Sequence, residues 1–310
     1  MPDEVSRRGR GQSINALGQP PRHEQARPTS PPARHEPLPT DPALLPPLPA
    51  EFWEVAEHGA DALGITLRPG LRAAIDAQVR LLLAWNDAIN LTALRLPDLI
   101  ARGHVVDSLA GAAAVDAFLN GARSGQSRSL LDLGSGGGFP GLPLAFAVRA
   151  ERCALVDSVN KKAAFLRVAT AAAAAAAGSA GEEPPAYEVL AERAEDLAQE
   201  PEHRATWSVV VARAVGSMAE LAELALPLLA VGGQLVAWKR EADGSLRTEL
   251  DAARATIKTV GGSRPHVQRV DPHGRLGLKG HVLVTVRKAH TTPDRYPRQP
   301  TERRRAALLR

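Results

Sequence analysis

Ser129-Leu130-Leu131-Asp132-Leu133-Gly134-Ser135-Gly136-Gly137-Gly138-Phe139-Pro140-Gly141 is the stretch that decides how this chain folds. A short apolar run ends in an acid and opens into a loop that is mostly glycine. Leu142-Pro143-Leu144-Ala145-Phe146 then reads as the start of a helix. Strand, glycine loop and helix in that order present backbone to a nucleoside-bearing ligand at the carboxyl edge of an open α/β sheet. Glycine is required there because a Cβ would obstruct close approach and forbid positive φ.

Downstream of this loop, apolar strands alternate with helical patterns. Strands are expected at 130–133, 153–157, 187–190, 208–212 and 234–239, with a long alanine-rich helix from about Lys161 to Ala177. Such alternation predicts a parallel sheet. Three further runs, 256–260, 267–270 and 281–287, have short connections and read as closing strands, one of them antiparallel. Upstream, helical spacing begins at Phe52 and continues in Leu71, Ile75, Val79 and Leu82. Two more helices are expected, from Pro97 to about Gly103 and from Asp107 to about Leu119. The predicted organisation is a tail over 1–50 too poor in apolar residues to order itself, a helical cap over 51–120, a Rossmann-like α/β domain over 121–288, and a basic tail over 289–310.

The 310 residues carry a formal net charge of +4, compatible with a polyanionic partner. Cys153 is the one cysteine, so no disulfide framework or cysteine-based zinc site is expected, and no metal. Its apolar setting reads as a buried thiol. No apolar run reaches the length of a membrane helix and no signal-peptide pattern opens the chain, so a cytoplasmic protein away from membranes is expected, and a monomer because no exposed apolar stripe asks for a partner.

Two ligands compete for the glycine loop. Gly136-x-Gly138-x-x-Gly141 fits the dinucleotide fingerprint G-x-G-x-x-G. Asp132-Leu133-Gly134-Ser135-Gly136 resembles the D-x-G-x-G motif of S-adenosylmethionine (SAM)-dependent methyltransferases. The second reading is favoured. Asp132 ends the first strand where it could meet a methionine ammonium, whereas an anion beside a pyrophosphate is unfavourable. Asp157 closes the next strand and is placed to accept from ribose hydroxyls of either ligand; its alternative role is to cap the following helix. The cap and the antiparallel ending also suit a class I methyltransferase.

The acceptor is narrowed by what the residues offer. Carbon methylation of cytosine uses a cysteine nucleophile, and Cys153 falls in a strand far from the expected acceptor site. Adenine-amine methylation uses an N/D-P-P-Y/F loop after the fourth strand, where Ala212-Arg213-Ala214 stands instead. A ring nitrogen such as guanine N7 carries a lone pair and no proton to lose, so alignment suffices and no catalytic base need be named.

At this point the motifs resemble the bacterial small-subunit rRNA guanine-N7 methyltransferases, the RsmG (GidB) family. The similarity runs from about Leu82 to Lys288. It rests on Trp85-Asn86-x-x-x-Asn90-Leu91-Thr92-Ala93, His104-x-x-Asp107-Ser108-Leu109, the glycine loop through Ala145, Leu155-Val156-Asp157-Ser158 with Lys161-Lys162, Arg193-Ala194-Glu195, Ala212-Arg213-Ala214, and Gly232-Gly233-Gln234-Leu235. The resemblance implies methylation of N7 of guanine 527 in 16S rRNA, free or within the small ribosomal subunit, with SAM as donor. It implies cofactor contacts at Gly134, Phe139, Ala194, Glu195 and Arg213, beside Asp132, Gly136 and Asp157 from the motif reading. Asn86, Asn90, Arg95, His104, Asp107 and Ser108 would line the edge facing the cofactor and the target base; Lys161, Lys162, Lys239 and Arg240 would face RNA. The alternative for the polar set is a hydrogen-bond network joining cap to sheet. Gly103 stands before His104 where the family usually has arginine. Two other readings stay open from residues alone: a nicotinamide-dependent oxidoreductase, and a non-catalytic RNA-binding factor.

Overall fold

The computed structural model describes residues 37–121 and 127–308; most of the expected N-terminal tail lies outside them. Leu38–Arg310 forms one compact unit. Its cap consists of α1 (Ala50–Ala62), α2 (Pro69–Ile89), α3 (Pro97–Ile100), α4 (Asp107–Leu109) and α5 (Ala112–Gly121), with a π-helical turn, Ala101–Val106, joining α3 to α4. Helix α2 begins at Pro69, whose missing N–H costs nothing in a first turn. It ends at Asn90, in the left-handed region at φ 52°.

The packed body starts earlier than the composition suggests. Leu38 and Leu45 lie against the cap core and Leu48 is buried. The Trp85 indole donates to Pro39 O at 2.7 Å and Arg80 donates to Leu45 O. Scattered leucines between prolines supply this anchoring without any helical or strand period, so a periodicity search passes over them.

The sheet comprises β1 (Ser129–Leu133), β2 (Arg152–Val156), β3 (Ala186–Leu190), β4 (Trp207–Arg213), β5 (Leu229–Arg240), β6 (His266–Arg269) and β7 (His281–Arg287), in the order β3-β2-β1-β4-β5-β7-β6. Strands β1 to β5 pair in parallel; β7 runs antiparallel between β5 and β6. The order reverses at β1/β4, the switch point beside which ligands bind in open α/β sheets. Helices α6 (Gly141–Ala147) and α7 (Asn160–Ser179) join the cap on one face; α8 (Ala194–Leu197), α9 (Met218–Ala225) and α10 (Ser245–Thr259) cover the other. The expected strand at 256–260 is the end of α10. Its β-branched residues imitate a strand, yet Ala253, Ile257 and Val260 recur at helical spacing and are buried under the sheet.

Strand pleating sorts the core into two layers. Leu130, Val209, Val211, Val236, Trp238 and Leu283 face the cap; Leu131, Leu133, Val210, Leu235 and Val284 face the opposite helices. Because parity is fixed along each strand, Asp132, Arg213 and His281 are directed toward the cap face with Trp238. The pleat thus brings four polar side chains from four strands to one end of one face.

The last segment also differs from the expected free tail. Arg298 grips buried Glu223 through Nε at 2.9 Å and Nη2 at 2.5 Å, and its backbone N–H donates to the same carboxylate. Arg204 holds Tyr296 O at 3.0 Å. Helix α11 (Pro300–Leu308) follows, with Arg303 lying 3.5 Å from Glu195. Glu223 and Glu195 on the far face capture Arg298 and Arg303, a pairing of distant residues that composition does not reveal.

Candidate active site

The glycine loop is fixed from two sides. Gly134 N and Ser135 N donate to Val156 O, each at 2.9 Å, which ties the loop to the neighbouring strand. Gln78, buried in α2, donates to Gly137 O at 2.9 Å. Gly134 sits at φ +77°, and a Cβ there would lie 2.7 Å from Val215. The bend therefore needs glycine on both conformational and steric grounds.

Asp132 lies under this loop rather than in a cleft. It is fully buried, and its Oδ2 accepts the Gly141 N–H at 2.9 Å. A Cβ on Gly141 would fall 2.6 Å from that carboxylate. Burial pushes the Asp132 pKa up to about 7, against the Gly141 and Ser135 hydrogen bonds that lower it. The expected contact of Asp132 with a methionine ammonium is thus not what its placement offers: pleat parity turns it into the cap-side core. Oδ1 has no hydrogen-bond partner among the described residues. The same contact uses Gly141 N–H internally, so the third glycine of the dinucleotide pattern is not displayed toward a pyrophosphate.

Two clefts open at the carboxyl edge. One, of about 630 Å³, is bordered by Gly134, Asp157, Ala194, Glu195 and the Arg298–Arg303 segment. The other, of about 640 Å³, is bordered by Gly136, Phe139, His104, Asp107, Arg213, Lys239, Arg240 and His281. Gly134, Lys162 and Ala214 border both. The set expected around a cofactor is therefore divided over two adjoining spaces with Gly134 at the seam. Asp157 does not cap α7, whose N-cap is Val159 without a side-chain cap bond; it closes the turn ahead of that helix and borders the first cleft. Its Oδ2 accepts from Gly136 N at 3.0 Å and its Oδ1 from Val159 N at 2.9 Å.

A polar cluster builds the wall of the second cleft. Asp107, nearly fully buried, accepts from Arg213 Nη1 at 2.8 Å on Oδ2 and from His281 Nδ1 at 2.8 Å on Oδ1. Its carbonyl accepts the Trp238 indole N–H at 2.7 Å. Arg213 also donates to Gly103 O at 3.0 Å and approaches His104 Nδ1 at 3.0 Å. A guanidinium only donates, so His104 Nδ1 accepts and its proton resides on Nε2, which donates to Thr92 Oγ1 at 2.7 Å. Burial, then the Arg213 charge, hold the His104 pKa down to about 4. The neutral ring lies on Phe139 with centroids 4.8 Å apart and planes 13° from parallel.

Other expected residues stand apart. Asn86 is buried and closes the following loop, donating to Thr92 O at 3.0 Å and accepting from Thr92 N at 2.8 Å. Ser108 donates to His104 O at 2.5 Å. Both bonds close within the cap, and neither residue borders the second cleft. Asn90 and Lys161 are exposed; Arg95 is exposed and pairs with Asp87 at 2.5 Å. Lys239 borders the second cleft, with its ammonium on Glu249 and Gly216 O, each at 2.8 Å. Lys162 lies 3.9 Å from Asp157. Cys153 is buried and its thiol pKa is raised by burial. His281 was not among the expected residues. Only its even spacing from buried Leu283 along the strand signalled which face it would join.

A family model described as rRNA small subunit methyltransferase G (GidB) matches residues 72–273. The ribosomal RNA small subunit methyltransferase G of Dehalococcoides mccartyi (strain CBDB1) is 37% identical over 242 residues, covering 78% of this chain and 94% of that protein. The protein of the same name from Deinococcus radiodurans is 39% identical over 249 residues, covering 79% and 88%.

Proposed function

The chain belongs to the rRNA small subunit methyltransferase G family, and we propose that it transfers the methyl group of SAM to N7 of guanine 527 in 16S rRNA. The nicotinamide reading of the glycine loop falls with that membership. When bound, SAM supplies an electrophilic methyl on a sulfonium. The residues present fit it: glycine backbone at the seam, Asp157 for ribose hydroxyls, Ala194 and Glu195 for the base, and Arg213 for a carboxylate. In this reading the nucleoside occupies the first cleft and the target guanine enters the second, so methyl and N7 meet beside Gly134.

The observation that carries the proposal is the state of His104 and Asp107. Both are committed to protein hydrogen bonds, and His104 is held neutral with its one free lone pair occupied by Arg213. These groups form a rigid wall and take no proton. That suits a ring nitrogen, which gives its lone pair to the methyl while the carbon–sulfur electrons return to sulfur. Acceleration then comes from alignment and fixed electrostatics.

Lys162 and Arg240 border the second cleft, where phosphates of the rRNA loop would pass, and exposed Lys161 and Arg95 would add positive charge on the surface. No helix among the described residues is long and apolar enough to cross a membrane; we place the enzyme in the cytoplasm, acting as a monomer. The test is incubation with methyl-labelled SAM and small subunits lacking the modification. Label in 7-methylguanosine at 527 supports the proposal; label in another nucleoside overturns it.

A further inference from the structure

We propose that His281 contacts the target base, presenting Nε2 as the acceptor for the guanine N1–H, and that Asp107 orients it for this task. The inference rests on the reading that the second cleft receives guanine. His281 lies beyond residues 72–273, the span that matches the family model, and enters the site from the first position of β7, opposite Arg240.

Three observations lead to it. The Nδ1 of His281 faces Asp107 Oδ1 at 2.8 Å, and a carboxylate can only accept, so Nδ1 carries a proton. In the neutral ring the lone pair is therefore on Nε2. That atom has no hydrogen-bond partner among the described residues, while His281 borders the cleft. Finally, the cations this cleft leaves for a base or a phosphate, Lys162, Lys239 and Arg240, are donors. They suit the guanine O6 or a phosphate but offer nothing to N1–H. An imidazole with a fixed tautomer supplies the missing acceptor. Adenine has no hydrogen at N1 and would leave Nε2 facing another lone pair, so the same atom discriminates between purines.

The contact would also strengthen during reaction. As N7 acquires the methyl, the positive charge of the sulfonium passes to the ring and N1–H becomes a better donor. A hydrogen bond tighter in the transition state than in the ground state raises kcat rather than only lowering KM.

The tests are His281→Asn, His281→Ala and His281→Gln in the full chain. Asparagine can keep a donor near Asp107 while removing the atom at the Nε2 position. Glutamine reaches that position instead. We expect His281→Asn and His281→Ala to lower kcat on undermethylated small subunits about 10- to 100-fold, the scale of one lost hydrogen bond in a desolvated site. SAM affinity by calorimetry should stay within about twofold, and glutamine should recover part of the rate. Wild-type kcat in His281→Asn would overturn the inference, assigning His281 only to bracing Asp107. So would loss of SAM binding in step with the rate. Failure of the wild-type enzyme to form 7-methylguanosine would remove the underlying reading, a separate and recognisable failure.

Discussion

The Arg213 guanidinium meets the Asp107 carboxylate at 2.8 Å, joining residues 106 apart in sequence across the boundary between sheet and cap. Asp107 is 2% exposed, so removing its partner leaves a buried charge with His281 alone. Arg213→Ala should cost about 3 kcal/mol of folding stability, read by urea denaturation, and abolish methylation. Arg213→Lys should restore neither fully, because an ammonium cannot serve Asp107, Gly103 O and His104 in one fork. Wild-type behaviour of the lysine variant would show that the fork geometry is unimportant.

His104 gives the protein an acid-sensitive seam. Its pKa falls from 6.5 to about 4 on folding, so below 6.5 the unfolded chain binds more protons than the native one. Stability from this group is therefore complete above pH 6.5 and declines as pH drops toward 4. Asp132, raised to about 7, acts oppositely: its contribution is complete below 3.8 and is lost as pH rises through 7. The His104 ring resonances should titrate near pH 4 by NMR, and His104→Gln should flatten the acid limb of stability. Titration near 6.5 would contradict the hydrogen-bond assignment.

Gly141 and Asp132 are a matched pair. Gly141→Ala would press a methyl to 2.6 Å from the Asp132 side chain, an overpacking expected to cost about 1–3 kcal/mol and to weaken SAM binding by shifting the loop. Asp132→Asn keeps an oxygen for the Gly141 N–H and should retain most SAM affinity. A collapse of affinity in Asp132→Asn, with the melting temperature intact, would instead restore direct ligand contact by the carboxylate.

Glu223 depends on the C-terminal strap. It is 1% exposed and accepts three hydrogen bonds from Arg298. Arg298→Ala should cost about 3 kcal/mol, the lower end for a broken buried pair because Arg298 is partly open to solvent. Arg298→Ala with Glu223→Gln should be milder than Arg298→Ala alone. Additive losses would show that the pair is not coupled.

Much of this site was legible in the sequence because local pattern encodes it. The strand–glycine–helix order places the carboxyl edge, and His104, Asp107, Arg213 and Phe139, each singled out from a motif, border one cleft there. Period-two alternation also contained the information that Asp132 faces inward, but its place at a strand end invites assignment to the ligand. His281 and the Arg298–Glu223 pair were not legible. Each is created by contact across long stretches of chain, 174 residues for His281 with Asp107 and 75 for Arg298 with Glu223, and neither belongs to a local motif. The end of α10 misled because Thr256, Ile257, Thr259 and Val260 satisfy strand preference while their burial follows a helix.

The decisive measurement is mass spectrometry of the 16S rRNA fragment containing guanine 527, taken from cells lacking this gene and from cells carrying it or its Arg213→Ala variant. Guanine 527 should lose one methyl group on deletion, regain it at N7 with the intact gene, and stay unmodified with Arg213→Ala. An N7-methylated guanine 527 in the deletion strain would contradict the function assigned to these two adjoining clefts.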